Sequence, residues 1–122
     1  MTLHVLAVDD SRTMRGLLDH ALREAGFHVR LAEDGVDGLE RLAEATPDIV
    51  ITDINMPRLD GFGFIEAVRR QRAFRSLPIL VLTTESAPEL KARARDAGAT
   101  GWIVKPFDEQ KLVDAIQRVT TM

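Results

Sequence analysis

Cysteine is absent from the 122 residues. Disulfides, thiolate metal centres and thiol nucleophiles are therefore excluded, and nothing in the composition asks for an oxidising compartment. Long apolar runs are absent too. No stretch reaches the length of a membrane span, and the N-terminus enters a short apolar run without the pattern of a secretion signal. The expectation is a soluble cytoplasmic protein that does not bind membranes. There is no basic block, and the formal net charge is −3, so neither a nucleic-acid-binding face nor a helix-turn-helix spacing is supported. The glycine-rich phosphate loops are missing as well. No G-x-x-x-x-G-K-[ST] occurs, and Gly61-Phe62-Gly63 has no third glycine to complete a dinucleotide-binding pattern.

What is present fits one domain of ordinary size, residues 1–122, with no linker, internal repeat or low-complexity segment. A chain this long buries roughly two-thirds of its unfolded surface and needs no covalent staples. Short apolar runs alternate with segments of helical period. Leu3 to Val8 reads as a first strand. Ser11 is placed to cap a helix with Met14, Leu17, Leu18, Ala21, Leu22 and Ala25 on its inner face, ended by Gly26. His28 to Ala32 alternates polar and apolar, the mark of a half-exposed edge strand. Asp34-Gly35 turns into a second helix with Val36, Leu39, Leu42 and Ala43 inward, stopped at Pro47-Asp48. Ile49 to Thr52 is a third strand and Ile54 to Asp60 a loop. A helix from Gly61 turns Phe62, Ile65 and Val68 inward. Pro78 opens a fourth strand, Ile79 to Leu82.

Ser86 and Glu89 have capping-box spacing, with Pro88 at an early helical position. The helix that follows has a thin apolar stripe of Leu90, Ala94 and Ala97 and ends at Gly98. Gly101 to Val104 is a fifth strand. Asp108 caps a last helix with Leu112, Ala115, Ile116 and Val119 inward. The fold class is α/β: a (βα)5 doubly wound parallel sheet of five strands. The nearly continuous apolar runs belong in its middle and the alternating second strand at an edge. Right-handed crossovers then favour the order 2-1-3-4-5, one of the common orders of doubly wound, flavodoxin-like sheets.

The charges follow the strands. The first run ends in Asp9-Asp10, the third in Asp53, the fourth in Thr83-Thr84 and the fifth in Lys105-Pro106. In an open α/β sheet those ends meet at the edge where ligands bind. Asp53 is the candidate nucleophile, since a carboxylate can attack phosphorus and form an aspartyl phosphate; taken alone it is as well read as a solvated loop residue. Asp9 and Asp10 add two negative charges, which calls for a cation. Mg²⁺ suits such oxygens, and the Asn55 carbonyl is placed to complete its shell. The plainer reading of Asp9-Asp10 is a favourable charge at a helix N-terminus. Lys105 is suited to neutralise a phosphoryl oxygen and, before that, to pair with Asp53. Pro106 restricts it and admits a cis bond. Thr83 offers a hydroxyl, or is simply a strand residue. Trp102, the single tryptophan, has its ring partly packed under a helix or partly exposed, and reads most simply as an edge-strand core residue. Arg69, Arg70, Arg72 and Arg75 read as a solvated face.

Val8-Asp9-Asp10-Ser11, Thr52-Asp53-Ile54-Asn55-Met56-Pro57, Asp60-Gly61, Leu82-Thr83-Thr84 and Val104-Lys105-Pro106-Phe107 stand in the order and spacing of one family. Ala32-Glu33-Asp34-Gly35 and Asp96-Ala97-Gly98-Ala99 add to the match. Nearly the whole chain resembles the receiver domain of two-component response regulators, and within them the stand-alone chemotaxis receivers of the CheY type. The resemblance implies that Asp53 accepts a phosphoryl group from the phosphohistidine of a histidine kinase, of the CheA type in chemotaxis. It implies Mg²⁺ on Asp10, Asp53 and the Asn55 carbonyl, with Asp9 reaching it through water. Thr83 and Lys105 would hold the phosphoryl group, and the Lys105–Pro106 bond would be cis. Thr83 and the ring at position 102 would then move, reshaping the face of the fourth helix, fifth strand and fifth helix for a downstream protein, with a flagellar motor switch and a phosphatase as candidate partners. Such a protein is a phosphoacceptor that assists its own phosphorylation and autodephosphorylation rather than a separate enzyme, and is expected to be monomeric.

Two residues depart from the family pattern. Trp102 stands where Tyr or Phe is usual, which alters the switch geometry. Thr84 stands where a smaller residue is common, and is expected to slow phosphoryl exchange by narrowing access. Asn55 and Glu85 match the pair of fast-decaying chemotaxis receivers. The chain stops shortly after its last helix, in Thr120-Thr121-Met122, which does not look like an interdomain linker. The alternatives are a phosphate sink or relay and the isolated receiver of a larger regulator. A small aspartate-nucleophile phosphatase fits less well, because Asp53-Ile54-Asn55-Met56-Pro57 lacks the second acid of that signature.

Overall fold

The structure, a computed structural model, describes residues 2–121; of the Thr120-Thr121-Met122 ending, Met122 lies outside them. Strands and helices alternate: β1 (His4–Val8), α1 (Arg12–Glu24), β2 (His28–Ala32), α2 (Gly35–Glu44), β3 (Ile49–Thr52), α3 (Gly61–Arg70), β4 (Ile79–Thr83), α4 (Pro88–Ala97), β5 (Gly101–Val104) and α5 (Glu109–Thr120). The strands form one parallel sheet in the order β2-β1-β3-β4-β5, as expected. A 3-10 turn at Arg72–Phe74, for which the sequence carries no periodic signal, buries Phe74 under the end of α3. Among the described residues no helix is long and apolar enough to cross a membrane.

Alternate residues of the central strands feed two cores. Leu6, Val8, Val50, Ile79 and Val81 pack with Leu42, Phe62, Phe64, Ile65 and Val68 beneath α2, α3 and α4. Val5, Ala7, Ile49, Ile51, Leu80 and Leu82 pack with Leu18, Leu22, Leu112 and Ile116 beneath α1 and α5. A fully buried Leu, Ile or Phe contributes about 1.5–3 kcal/mol. By that measure α4 is the least anchored helix, because Ala94 is its one buried residue.

The helix ends are set locally. Ser11, Asp34, Asp60 and Asp108 each accept a backbone N–H from three residues on, satisfying one orphan donor of each first turn. Gly26 (φ 92°) and Gly98 (φ 117°) take the left-handed conformation that closes α1 and α4, where a Cβ is disfavoured.

The structure corrects several details. Leu17 is 53% exposed, and Ala25 and Ala43 are also exposed. Each lies one step outside the arc its helix turns to the sheet, and α2 gives its inner face to Gly35 and Gly38 instead. At Gly38 a Cβ would lie 2.8 Å from the Phe64 ring. The Ser86–Glu89 capping box does not form. Ala87, extended at ψ 131°, is the N-cap without a side-chain bond, and Pro88 is the first helical residue. A residue before proline is disfavoured in the helical region, so the helix cannot start at Ser86 and run through Ala87. Arg69 is not a solvated residue. Its Nε donates to the Gly98 carbonyl at 3.0 Å and its Nη1 to the Phe74 carbonyl at 2.6 Å, and burial pushes its pKa down.

Candidate functional site

Backbone bonds running past the strand ends hold the acidic residues at one edge of the sheet. The Asp9 N–H donates to Ala32, the Asp53 N–H to Val8 and the Lys105 N–H to Thr83, at 3.0, 3.0 and 2.7 Å. The extended register is what brings residues 44 and 52 positions apart together. Asp9, Asp10 and Asp53 each present a carboxylate oxygen within 4.8 Å of the other two. Asp9 and Asp53 are buried, whereas Asp10 is exposed.

The Lys105 ammonium lies between the two buried carboxylates, 2.7 Å from Asp9 Oδ2 and 2.8 Å from Asp53 Oδ2. Its side chain is 8% exposed. Burial works to lower its pKa, but the bonds to Asp53 and then Asp9 more than reverse that and hold it above the ordinary lysine value. Lys105 thus pairs with Asp9 as well as with the Asp53 partner expected from sequence. The Lys105–Pro106 bond is cis.

Each of the two buried carboxylates has both oxygens engaged. Asp9 Oδ1 accepts the Ser11 N–H at 2.9 Å and Oδ2 accepts Lys105, so both its oxygens are engaged. The Arg15 guanidinium also holds the Asp9 carbonyl, at 2.7 Å. Asp53 Oδ1 accepts the Ile54 N–H at 2.6 Å. Two buried carboxylates and a third at the rim leave more negative charge than one ammonium balances, and hard oxygen donors at this spacing suit Mg²⁺. The residues fit the ion.

Glu85 joins the other candidates. Its N–H donates to Thr83 Oγ1 at 3.4 Å, its carboxylate accepts the Asn55 amide at 3.2 Å, and its carbonyl accepts the Trp102 indole N–H at 3.1 Å. Thr83 is fully buried at the end of β4. Trp102 is half-buried against the core that includes Val81 and Ala94. Thr84 is exposed and its side chain takes no part in this network, so it stands beside the constellation rather than in it.

One part of the site escaped the sequence reading. Arg58, in the loop between β3 and α3, grips Asp34 at the start of α2 with two bonds, Nε to Oδ2 at 2.7 Å and Nη2 to Oδ1 at 3.1 Å. The Arg58 hydrogen bond, working against burial, holds the Asp34 carboxyl below its usual pKa. Arg58 has φ 65° and is the one non-glycine residue with positive φ among the described residues, a conformation disfavoured for any residue with a Cβ. No apolar period or charge pattern announces a pair 24 residues apart.

The sequence pattern of the response regulator receiver domain matches residues 5–117. The chemotaxis protein CheY of Pseudomonas aeruginosa is 36% identical over 118 residues, covering 96% of this chain and 95% of the relative. The structure of Vibrio cholerae CheY4 superposes with a TM-score of 0.93 at 45% identity, covering 98% of this chain and 99% of the other. The receiver domain of the P. aeruginosa sensor histidine kinase PA1611, solved with magnesium coordinated in its active-site cleft, superposes at 0.93 with 25% identity, covering both chains fully. The chain belongs to the response regulator receiver domain family. It is a signalling phosphoacceptor of two-component systems, and the family takes phosphoryl groups from histidine kinases onto aspartate with Mg²⁺ in an acidic pocket.

Proposed function

We propose that residues 1–122 form a receiver that accepts a phosphoryl group on Asp53 and passes the signal to a protein partner in chemotaxis. The observation that carries this reading is the Lys105 ammonium bound to both Asp9 and Asp53 beside the free carboxylate of Asp10. A carboxylate oxygen of Asp53 attacks the phosphorus of a phosphohistidine; the O–P bond forms, the N–P bond breaks and the imidazole leaves. Lys105 is within reach of Asp53 and neutralises a phosphoryl oxygen without reorganising. Asp10, Asp53 and the Asn55 carbonyl would hold Mg²⁺, with Asp9, already engaged by Lys105 and Ser11, acting from behind. Bound there, the ion supplies positive charge against the incoming phosphoryl oxygens.

The route outward follows the hydrogen bonds. The Thr83 hydroxyl now accepts from the Glu85 N–H. A phosphoryl group on Asp53 offers that hydroxyl a stronger, charged acceptor. Turning toward it frees the Glu85 amide, and Glu85 holds the Trp102 indole. The same loop leads into α4, the helix with the least burial, so the partner-facing surface of α4, β5 and α5 changes at small cost. Asn55 and Glu85, bonded to each other at the rim, flank the path of a hydrolytic water and support autodephosphorylation; Thr84, exposed beside them, narrows that path. The chemotaxis reading is supported by the coverage of CheY proteins over nearly their whole length. It places a CheA-type kinase as donor, a flagellar motor switch and a phosphatase as further partners, and a cytoplasmic monomer as the working form.

The test is the fluorescence of Trp102 as Mg²⁺ and then a small phosphodonor are added. A change in the wild type that vanishes in Asp53→Asn supports the reading. An unchanged signal in a protein shown by mass to be phosphorylated contradicts the route through Trp102.

A further inference from the structure

We infer that Arg58 and Asp34 form a clamp that positions the loop carrying Asn55 for cation binding, so that Arg58 is a positioning residue of the phosphorylation site. The inference rests on the proposed Mg²⁺ role of that loop. The loop from Ile54 to Asp60 is closed at its base by the Gly61 N–H donating to the Ile54 carbonyl at 2.8 Å. At Gly61 a Cβ would lie 2.3 Å from the Asp53 carbonyl, so the base tolerates no slack. Its far side is held elsewhere. The Gly35 N–H donates to the Leu59 carbonyl at 3.2 Å, and beside it Arg58 grips Asp34 with two bonds. Asp34 is 3% exposed and is fixed in turn by accepting the Asp37 N–H at 2.8 Å as the cap of α2. A buried, capped carboxylate is a rigid anchor, and a planar guanidinium bound at two points transmits that rigidity.

Two features mark the contact as more than a surface ion pair. Arg58 keeps a positive φ to make it, and backbone held in a sparse region persists only where its surroundings determine it. The anchor also lies on α2, an element that contributes none of the three clustered carboxylates. The clamp therefore braces the loop from outside the site, as residues behind a metal ligand do.

Simple electrostatics and the clamp make different forecasts. Removing the Arg58 charge takes a cation away from an acidic pocket and, by charge alone, strengthens Mg²⁺ binding. Removing the Asp34 charge does the reverse. Loss of the clamp weakens binding in both cases. The experiment is a Mg²⁺ titration of wild type, Arg58→Gly and Asp34→Asn, read by the Asn55 amide NMR shift at about 0.15 M salt, where exposed charges are screened beyond about 8 Å. Hydrogen exchange of the Gly35 amide and the thermal midpoint are followed in the same samples. Glycine suits the positive φ of Arg58, and asparagine keeps the α2 cap, so both variants fold.

The expected result is a rise of about tenfold in the Mg²⁺ dissociation constant of both variants. Gly35 exchange should also speed up, with the Arg58→Gly midpoint close to wild type. Faster exchange with unchanged Mg²⁺ affinity overturns the positioning role and leaves a purely structural contact. Opposite shifts in the two variants overturn it in favour of charge alone. A wild type that binds no Mg²⁺ overturns the proposed function itself, and this inference with it.

Discussion

The Trp102 indole N–H donates to the backbone carbonyl of Glu85 at 3.1 Å. This bond ties the edge strand β5 to the loop between β4 and α4. Phenylalanine at position 102 fills part of the same space without a donor. Trp102→Phe is expected to remove about 1 kcal/mol of local stabilisation. The amides between Thr84 and Ala87 should then exchange faster while those of β4 keep their protection. Uniform loss of protection across the sheet would instead make Trp102 an ordinary core residue.

The Lys105 ammonium bridges the Asp9 and Asp53 carboxylates. Lys105→Met leaves two buried carboxylates facing each other. Removing one partner of a buried pair is costly, and here the opening toward Asp10 moderates the loss to about 2 kcal/mol. Urea denaturation should show a lower midpoint with an unchanged slope. Added Mg²⁺ should restore more stability to the variant than it gives the wild type, because it meets more uncompensated charge.

Asp34 makes stability depend on acid. Its carboxyl titrates below the ordinary value in the folded protein, chiefly through the Arg58 hydrogen bond. A depressed carboxylate stabilises fully above its unfolded value of about 4 and loses that contribution as pH falls through the folded value. The gap in thermal midpoint between wild type and Asp34→Asn should therefore be widest near neutral pH and close below about pH 4. A constant gap across that range would show that the ionised pair is not its source.

Gly61 starts α3 against the backbone of Asp53, where a Cβ would lie 2.3 Å from the Asp53 carbonyl and 2.7 Å from Ile54 Cα. Both neighbours are backbone and cannot rotate away. Gly61→Ala is expected to cost about 1–3 kcal/mol by overpacking and to slow phosphoryl uptake by displacing Asp53. Equal stability and equal uptake in calorimetry and phosphorylation assays would show that the loop absorbs the methyl group.

The elements that sequence made legible are those with strong period or punctuation. β1, β3 and β4 are continuous apolar runs, and Gly26 and Gly98 end their helices at positive φ, as their positions suggested. Because strand ends share one edge, Asp9, Asp10, Asp53, Thr83 and Lys105 could be placed together from sequence. What stayed hidden depends on contacts between elements. Arg58 and Asp34 meet 24 residues apart through a left-handed residue that nothing local announces. Arg69 looks like one of several exposed arginines until Gly98 and Phe74 present their carbonyls to it. Ala43 faces outward on α2 although its spacing points inward, because a glycine, Gly38, lies against Phe64.

The central claim is that Asp53 accepts a phosphoryl group in a Mg²⁺-dependent reaction. The most direct measurement is the intact mass of wild type and Asp53→Asn after exposure to a small phosphodonor, with and without Mg²⁺, followed by peptide mapping. The account predicts a gain of one phosphoryl group on the peptide containing Asp53, in the wild type and only with Mg²⁺. Equal labelling of Asp53→Asn, or labelling at another residue, would contradict it.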